Sequence, residues 1–485
     1  LFKLKPLIVA LAITSSITSS VFAANKETNK NKLPEIGSAG VSVLSIEKER
    51  QIGGEMMRQI RATQPILNDP VLTEYINDLG NRMVRNAKDV NYSFEFFVIR
   101  NQELNAFAFF GGHIAIHSGL ITTASTESEL ASVVAHEISH VTQRHLARRL
   151  ESQNRSQPLT MAAMVSSVLL TLINPTVGMA ALSTTMAASQ QASINYTRGN
   201  EQEADRVGIM LLVNSGFNPQ GAPDFFSKMA EKYRYTSKPP AMLLTHPLPE
   251  SRISDARIRA HNFSPRPLAP SLQFELAKAR IMARYEGNAK DNIINFKQSL
   301  EKQNYAIEAA AKYGLALSHY EAKNYQTAIN QLEALLRDDN RNLFYVDALT
   351  DAYIAIKAFD KAIAMLGELN LLMPNNQVVT LNLANVLNEA EQYSKAEILL
   401  QNFLVLSPKN FIANDLLTEV YRKQDKKALM HASKAEVYAL FGAYPKAVDE
   451  LQTAYNFVEE NPLLQKRMKG RILQLQEQQE KLKRL

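Results

Sequence analysis

The stretch SELASVVAHEISHVTQRHLARRL, Ser128 to Leu150, holds three of the chain's nine histidines. His136 and His140 stand at i and i+4. At about 100° per residue they lie about 40° apart on one helix face, so two imidazoles can share one metal ion. Glu137 is one residue on from His136 and is aimed to the side of such a metal. A carboxylate there can take a proton from attacking water and later pass it to a leaving amine. Zinc is the expected ion, because it takes nitrogen and oxygen ligands, has no redox chemistry and activates water near neutral pH. His145, about 180° around from His136 and about 140° from His140, reads as a solvated position on the same helix.

Two histidines leave a metal short of ligands. The chain has no cysteine, so the third must be His, Asp or Glu. The segment NEQEADRVGIMLLVNSGF shows helical periodicity from about Glu201. Glu201 and Asp205 are again at i and i+4, with Ala204 and Gly208 leaving space beside them. One carboxylate can ligate the metal. The other, one turn on, can accept the free N–H of a ligand histidine and fix its tautomer. Glu203 points about 200° away from Glu201 and reads as exposed.

The elements that must carry these residues follow from the patterns around them. The segments LSIEKERQIGGEMMRQIR and DPVLTEYINDLGNRMVRNA read as helices. YSFEFFVIR alternates like a strand, and NAFAFFGGHIAIHSGLI reads as two strands joined at Gly111-Gly112. The histidine helix follows, with a capping box expected over Thr126 to Glu129. The result is an α+β domain, mostly helical with a small sheet, over residues 44–264. His113 and His117 share one strand face, and nothing in the sequence joins them to the metal.

The N-terminal LFKLKPLIVALAITSSITSSVFAANK combines a basic start, a short apolar run and small residues before Ala24. It reads as a secretory signal over 1–23, cleaved after Ala23, and a polar linker follows over 24–43. The expected location is the periplasm, with the mature chain soluble or peripheral. From Gln157 to Thr197 there is no charged residue. Asn174-Pro175 divides that segment into two arms of about 15 residues, each short for a membrane span. A buried helical hairpin is the first reading. A surface meeting lipid or unfolded clients is the second.

The remaining residues, 265–485, are helical and repetitive. Tyr325, Phe359 and Tyr393 recur at a 34-residue step, as do Ala328, Ala362 and Ala396. That period is the tetratricopeptide one, in which stacked helical pairs build a solenoid with a concave surface for a partner. A degenerate first unit is expected around RYEGNAKDNIINFKQSL and a polar capping helix at the end. The match at Ala447 is out of phase by half a repeat, which predicts an interruption between about Asn410 and Leu440. The net charge of +6 over 485 residues, with no basic block interleaved with aromatics, argues against a nucleic-acid surface.

His136-Glu137-x-x-His140 with Glu201-x-x-x-Asp205 resembles the gluzincin metallopeptidases of family M48, the family of the CAAX prenyl proteases. ELNAFAFFGGHIAIHSGLI before the motif and THPLPESRI after it resemble further elements of that family. The resemblance implies that His136, His140 and Glu201 ligate one zinc ion and that Glu137 is general base and acid. It implies that Asp205 orients a ligand histidine or serves as proton donor. His246 would be a removable fourth ligand that holds the site latent. Arg252 could steady the substrate carbonyl or pair with Glu250 or Asp255. Asn105 and the strand after it could hold substrate backbone as an added strand.

Membrane-embedded members of the family carry several transmembrane helices, and no span of that length is evident here. The resemblance therefore implies a periplasmic endopeptidase with chaperone-like activity. Its partners would be the outer-membrane β-barrel assembly machinery and stalled outer-membrane proteins, met through the repeats. The alternative is a latent-site chaperone or adaptor whose proteolysis is secondary.

Overall fold

A computed structural model describes residues 44–156, 187–235, 241–264, 266–458 and 461–483. The signal at 1–23, the linker at 24–43 and the uncharged segment from 157 to 186 lie outside the described residues. Among the described residues no helix is long and apolar enough to cross a membrane.

Helices α1 (Ile46–Thr63) and α2 (Pro70–Val84) open the structure. Both start on side-chain caps: Ser45 accepts from Lys48 N–H, and Asp69 accepts from Leu72 N–H. Strands β1 (Glu95–Ile99), β2 (Ala106–Phe109) and β3 (His113–His117) form a three-stranded sheet in the order β1-β3-β2. β1 runs parallel to β3, and β2 pairs antiparallel to it. Gly111 and Gly112 make the expected turn, at φ 81° and 85°, a region that a side chain disfavours. β2 is an edge strand.

A short helix α3 (Ser118–Thr123) leads into α4 (Glu127–Thr142), which carries His136 and His140. Thr126 Oγ1 accepts from Glu129 N–H at 3.2 Å, as a capping box requires. The Glu129 carboxylate reaches back one residue further than expected, to Ser125 N–H at 2.8 Å. α4 is buried along almost all of its length. The chain after it is not one continuous helix. It breaks at Gln143-Arg144, where Arg144 has φ 53°, and restarts as α5 (His145–Ser156). The buried Arg144 ties this break to α1: its Nε donates to Glu49 Oε1 at 2.9 Å, and its Nη2 donates to Leu44 O at 2.7 Å.

Helix α6 (Ala187–Asn214) carries Glu201 and Asp205. It begins fourteen residues before the point that periodicity suggested, inside the uncharged segment. α7 (Gly221–Tyr233), α8 (Ala241–Thr245) and α9 (Glu250–His261) complete the first half.

The second half is a stack of helical pairs. They are α10 (Leu272–Tyr285) with α11 (Ala289–Glu301), α12 (Glu308–Glu321) with α13 (Tyr325–Asp338), and α14 (Leu343–Ala355) with α15 (Phe359–Leu372). Then come α16 (Gln377–Glu389) with α17 (Tyr393–Leu406), α18 (Phe411–Lys423) with α19 (Lys427–Leu440), and α20 (Tyr444–Asn456) with α21 (Pro462–Lys483). Asn342, Asn376 and Asn410 cap successive first helices.

Helices α18 and α19 fill the stretch where an interruption was expected, and the phase shifts there: α19 leads into α20 through a second three-residue turn of the kind that joins the two helices of a pair, with Gly442 at φ 71°. Met430 stands where the alanine signature predicts a small residue, so the pattern fails while the packing persists. Ala447 lies on α20, which opens as the second helices of the earlier pairs do, so its half-repeat offset follows the shift in phase. The described residues, which begin at Leu44, fall within one compact unit. α14 and α16 lie against α2, so part of the surface expected to await a partner is taken up within the chain.

Candidate metal centre

The packing of α4 on α6 brings the two candidate motifs together. Gly208 permits it: a Cβ there would lie 3.2 Å from the Cα and N of His136. His136 Nε2 and His140 Nε2 are 3.0 Å apart. Glu201 Oε2 is 3.3 Å from the first, and Glu201 Oε1 is 3.4 Å from the second. His246, in the loop after α8, places Nδ1 3.0 Å from Glu201 Oε1. One donor atom from each of these four residues lies within 4.8 Å of the other three.

These spacings fit one small cation. Tetrahedral ligands at about 2.0–2.2 Å from zinc are about 3.3–3.5 Å from one another, close to the separations seen. The charges fit as well. Three carboxylates, Glu137, Glu201 and Asp205, converge here against one guanidinium, Arg252. Burial alone would disfavour charge on His136, yet the Asp205 and Glu201 carboxylates outweigh it and push the imidazole up to about 10. Burial would likewise raise Glu201, but His246 and His140 hold it well below the usual carboxylate range. The centre is thus built to hold positive charge.

His136 presents its other nitrogen, Nδ1, to Asp205 Oδ1 at 3.1 Å. Asp205 therefore lies behind His136, on the side away from the four-residue cluster. Glu137 is 1% exposed, and its Oε1 has no hydrogen-bond partner among the described residues. His246 Nε2 lies 3.5 Å from that oxygen. Beside the centre is an apolar pocket lined by Val133, Ile209, Phe226, Met229, Met242 and Leu248.

Arg252 is 3% exposed and turns away from Glu250 and Asp255. Its Nε and Nη2 grip the two Asp205 oxygens at 2.7 and 2.8 Å, and its Nη1 is 2.9 Å from Glu201 Oε2 and donates to Pro247 O. The guanidinium holds the carboxylates and the His246 loop together, and it also lines the pocket beside the centre. Asn105 is 1% exposed, and its carbonyl accepts His117 N–H at 3.0 Å. The backbone side left unpaired by strands belongs to β2, which begins at the next residue.

His145 is the clearest correction. It is 4% exposed, not solvated. Its Nδ1 is 2.9 Å from His140 Nδ1, and its Nε2 is 3.1 Å from Glu203 Oε2. The angular argument assumed a continuous helix, and the left-handed Arg144 voids it. Glu203, read as exposed, is half-buried in that contact. No glycine or proline announces the break. The only sequence signal is a third histidine and a third acid beside the two pairs already chosen.

The model of "Peptidase family M48" matches residues 70–260. The beta-barrel assembly-enhancing protease of Yersinia pestis is 42% identical over 481 residues, 98% of this chain and 99% of its own. The putative beta-barrel assembly-enhancing protease of Vibrio cholerae serotype O1 is 44% identical over 96% of each chain. The metalloprotease LoiP of Escherichia coli is 28% identical over 39% of this chain and 69% of its own. With identity above 40% along nearly the whole chain and the His–Glu cluster inside the matched region, this chain belongs to the metallopeptidases of family M48 and groups with its Yersinia and Vibrio relatives.

Proposed function

We propose that this metallopeptidase is a periplasmic zinc endopeptidase that acts during outer-membrane β-barrel assembly and degrades stalled barrels. The observation that carries the catalytic part is the convergence of His136, His140, Glu201 and His246 beside the buried, unpartnered Glu137 Oε1. His136, His140 and Glu201 would hold the ion, and zinc suits this cysteine-free nitrogen and oxygen donor set. When bound, zinc supplies Lewis acidity to water and to the scissile carbonyl. Glu137 takes the proton of the attacking water and returns it to the leaving nitrogen. Asp205 keeps His136 in the tautomer that presents Nε2. The edge of β2 offers backbone partners to an extended substrate. The apolar pocket favours an apolar side chain next to the scissile bond.

His246 lies against both Glu201 and Glu137, where substrate and water must enter. We read it as a removable ligand that keeps the site closed. The same occupancy favours a second reading, a latent-site chaperone or adaptor. The location and the partners are supported by the sequence resemblance to the assembly-enhancing proteases and by the N-terminal signal pattern. The boundary between the peptidase (44–264) and the repeats (265–485) is read in the same way. The repeats also leave Leu371, Leu372, Val405 and Leu406 exposed at a 34-residue step, an apolar ridge suited to protein contact.

Zinc content and casein cleavage of wild type, Glu137→Gln and His246→Ala form one test. Glu137→Gln should keep zinc and lose cleavage by a factor of about 100 or more. His246→Ala should keep zinc and cleave faster. Loss of zinc without faster cleavage sinks the latch. A Glu137→Gln gene that repairs every defect of a deletion strain makes the chaperone reading the main one.

A further inference from the structure

His140 turns Nε2 to the metal centre and Nδ1 away from it. Among the described residues that second nitrogen meets no carboxylate and no backbone carbonyl. It lies 2.9 Å from Nδ1 of His145, with the two rings edge-on at 79°. On the far side of the His145 ring, Nε2 lies 3.1 Å from Glu203 Oε2. Arg148 Nη1 donates to the same oxygen at 2.8 Å.

The hydrogens of this line can be assigned by satisfaction alone. A histidine that ligates through Nε2 keeps its proton on Nδ1. His140 must therefore donate, so His145 Nδ1 must accept. His145 then carries its own proton on Nε2 and donates it to Glu203. Arg148 supplies the opposing charge. Each ring N–H of the two histidines then has one acceptor.

We infer that His145, backed by Glu203 and Arg148, is a positioning residue that fixes the ring orientation and tautomer of the metal ligand His140. The inference rests on the metal centre proposed above and adds residues to it. The two ligand histidines are supported differently. His136 faces the Asp205 carboxylate directly, whereas His140 reaches its carboxylate through a second imidazole. The broken helix is what makes this possible. In a continuous helix residue 145 would lie about 140° around from residue 140, out of reach. The left-handed Arg144 folds α5 back so that its first residue meets the His140 ring.

The test is zinc affinity of the purified full chain, measured by competition with a chromogenic chelator, with melting of the metal-stripped protein alongside. H145L fills the space but leaves the His140 Nδ1–H without an acceptor. H145N returns an acceptor near the position of the lost Nδ1. H145L should bind zinc about 10- to 100-fold more weakly than wild type, and H145N should recover most of that loss. The metal-stripped H145L and H145N proteins should melt together. Equal zinc affinity in H145L and wild type overturns the inference, as does an equal loss in H145L and H145N. If H145L does not fold, Glu203→Ala, at a half-buried position, reads the same line: several-fold weaker zinc supports it, and unchanged affinity overturns it. A wild type that binds no zinc removes the metal centre itself, an outcome distinct from failure of His145 alone.

Discussion

His117 lies away from the metal centre, and its chemistry is about stability. Burial drops its imidazole to about 4, only partly offset by its contact with the Glu103 carbonyl at 3.3 Å. The ordinary value in an unfolded chain is about 6.5. Between those two values the unfolded chain binds a proton that the folded chain does not. Stability from this group is therefore full above pH 6.5, declines as the pH falls, and is exhausted near pH 4, with a span of about 3 kcal/mol. Urea unfolding of wild type and His117→Asn at several pH values checks this. The Asn variant, which keeps a donor but cannot titrate, should show the shallower decline. Parallel declines would remove His117 as the cause. The sequence placed this residue on β3 but could not tell a buried neutral histidine from an exposed one. The metal centre was more legible. Fixed i, i+4 spacing on regular helices gives geometry directly, and the four residues it singles out, His136, His140, Glu201 and Asp205, lie together in the fold. Arg252 and His145 depend on a loop path and on a left-handed residue, and neither has a periodic signature.

At the scale of elements, the centre exists only as long as α4 and α6 stay close. Gly208 faces the backbone of His136 and Ala135, and a Cβ would sit 3.2 to 3.3 Å from it. A helix backbone yields less readily than a flexible side chain, so Gly208→Ala sets a gain in helix propensity of about 0.5–1 kcal/mol against a small displacement of α6. Gly208→Val adds bulk that cannot be absorbed and should draw Glu201 away from the two histidines. Zinc retained after dialysis should fall modestly in the Ala variant and sharply in the Val variant, while the Ala variant melts near wild type. Full zinc retention in Gly208→Val would show that α4 and α6 can separate without opening the site. The strands and the repeat period were visible in the sequence because alternation and a 34-residue step survive substitution. The turns between paired helices were not. Lys323, Lys357, Glu391 and Asp425 all adopt φ of 56° to 63° there, positions where glycine would have been the signal. The shift in phase after α18 was legible through the half-repeat offset of Ala447, but the helix α19 that carries it was hidden, because Met430 replaces the small residue that marks the other repeats.

At the scale of the whole molecule, the peptidase part and the repeats are joined by buried charge. Asp69 caps α2 with one oxygen and offers the other to Arg280 Nε and Tyr285 Oη, each at 2.6 Å. Arg280, on α10, also lies 2.7 Å from Asp347 on α14 and donates to Tyr313 on α12 at 3.0 Å. Burial would raise the Asp69 carboxyl, but Arg280 outweighs it and holds it below its usual value. One guanidinium thus connects the peptidase helix α2 to three helices of the solenoid. Asn376 against Glu74 and Tyr444 against Glu55 extend the contact along α2 and α1. Arg280→Met keeps the volume but removes the guanidinium that pairs directly with Asp69 and Asp347, and the loss of a partner from a buried pair costs about 3–5 kcal/mol. The joint also predicts how that loss is distributed. If α2 and the solenoid form one cooperative unit, hydrogen exchange in α2 and in α14 should accelerate together in Arg280→Met. The denaturation midpoints read from the two regions should also coincide, in the variant as in wild type. Acceleration confined to α14, with α2 protected as before, would show that the halves open independently and that Arg280 stabilises the repeats alone.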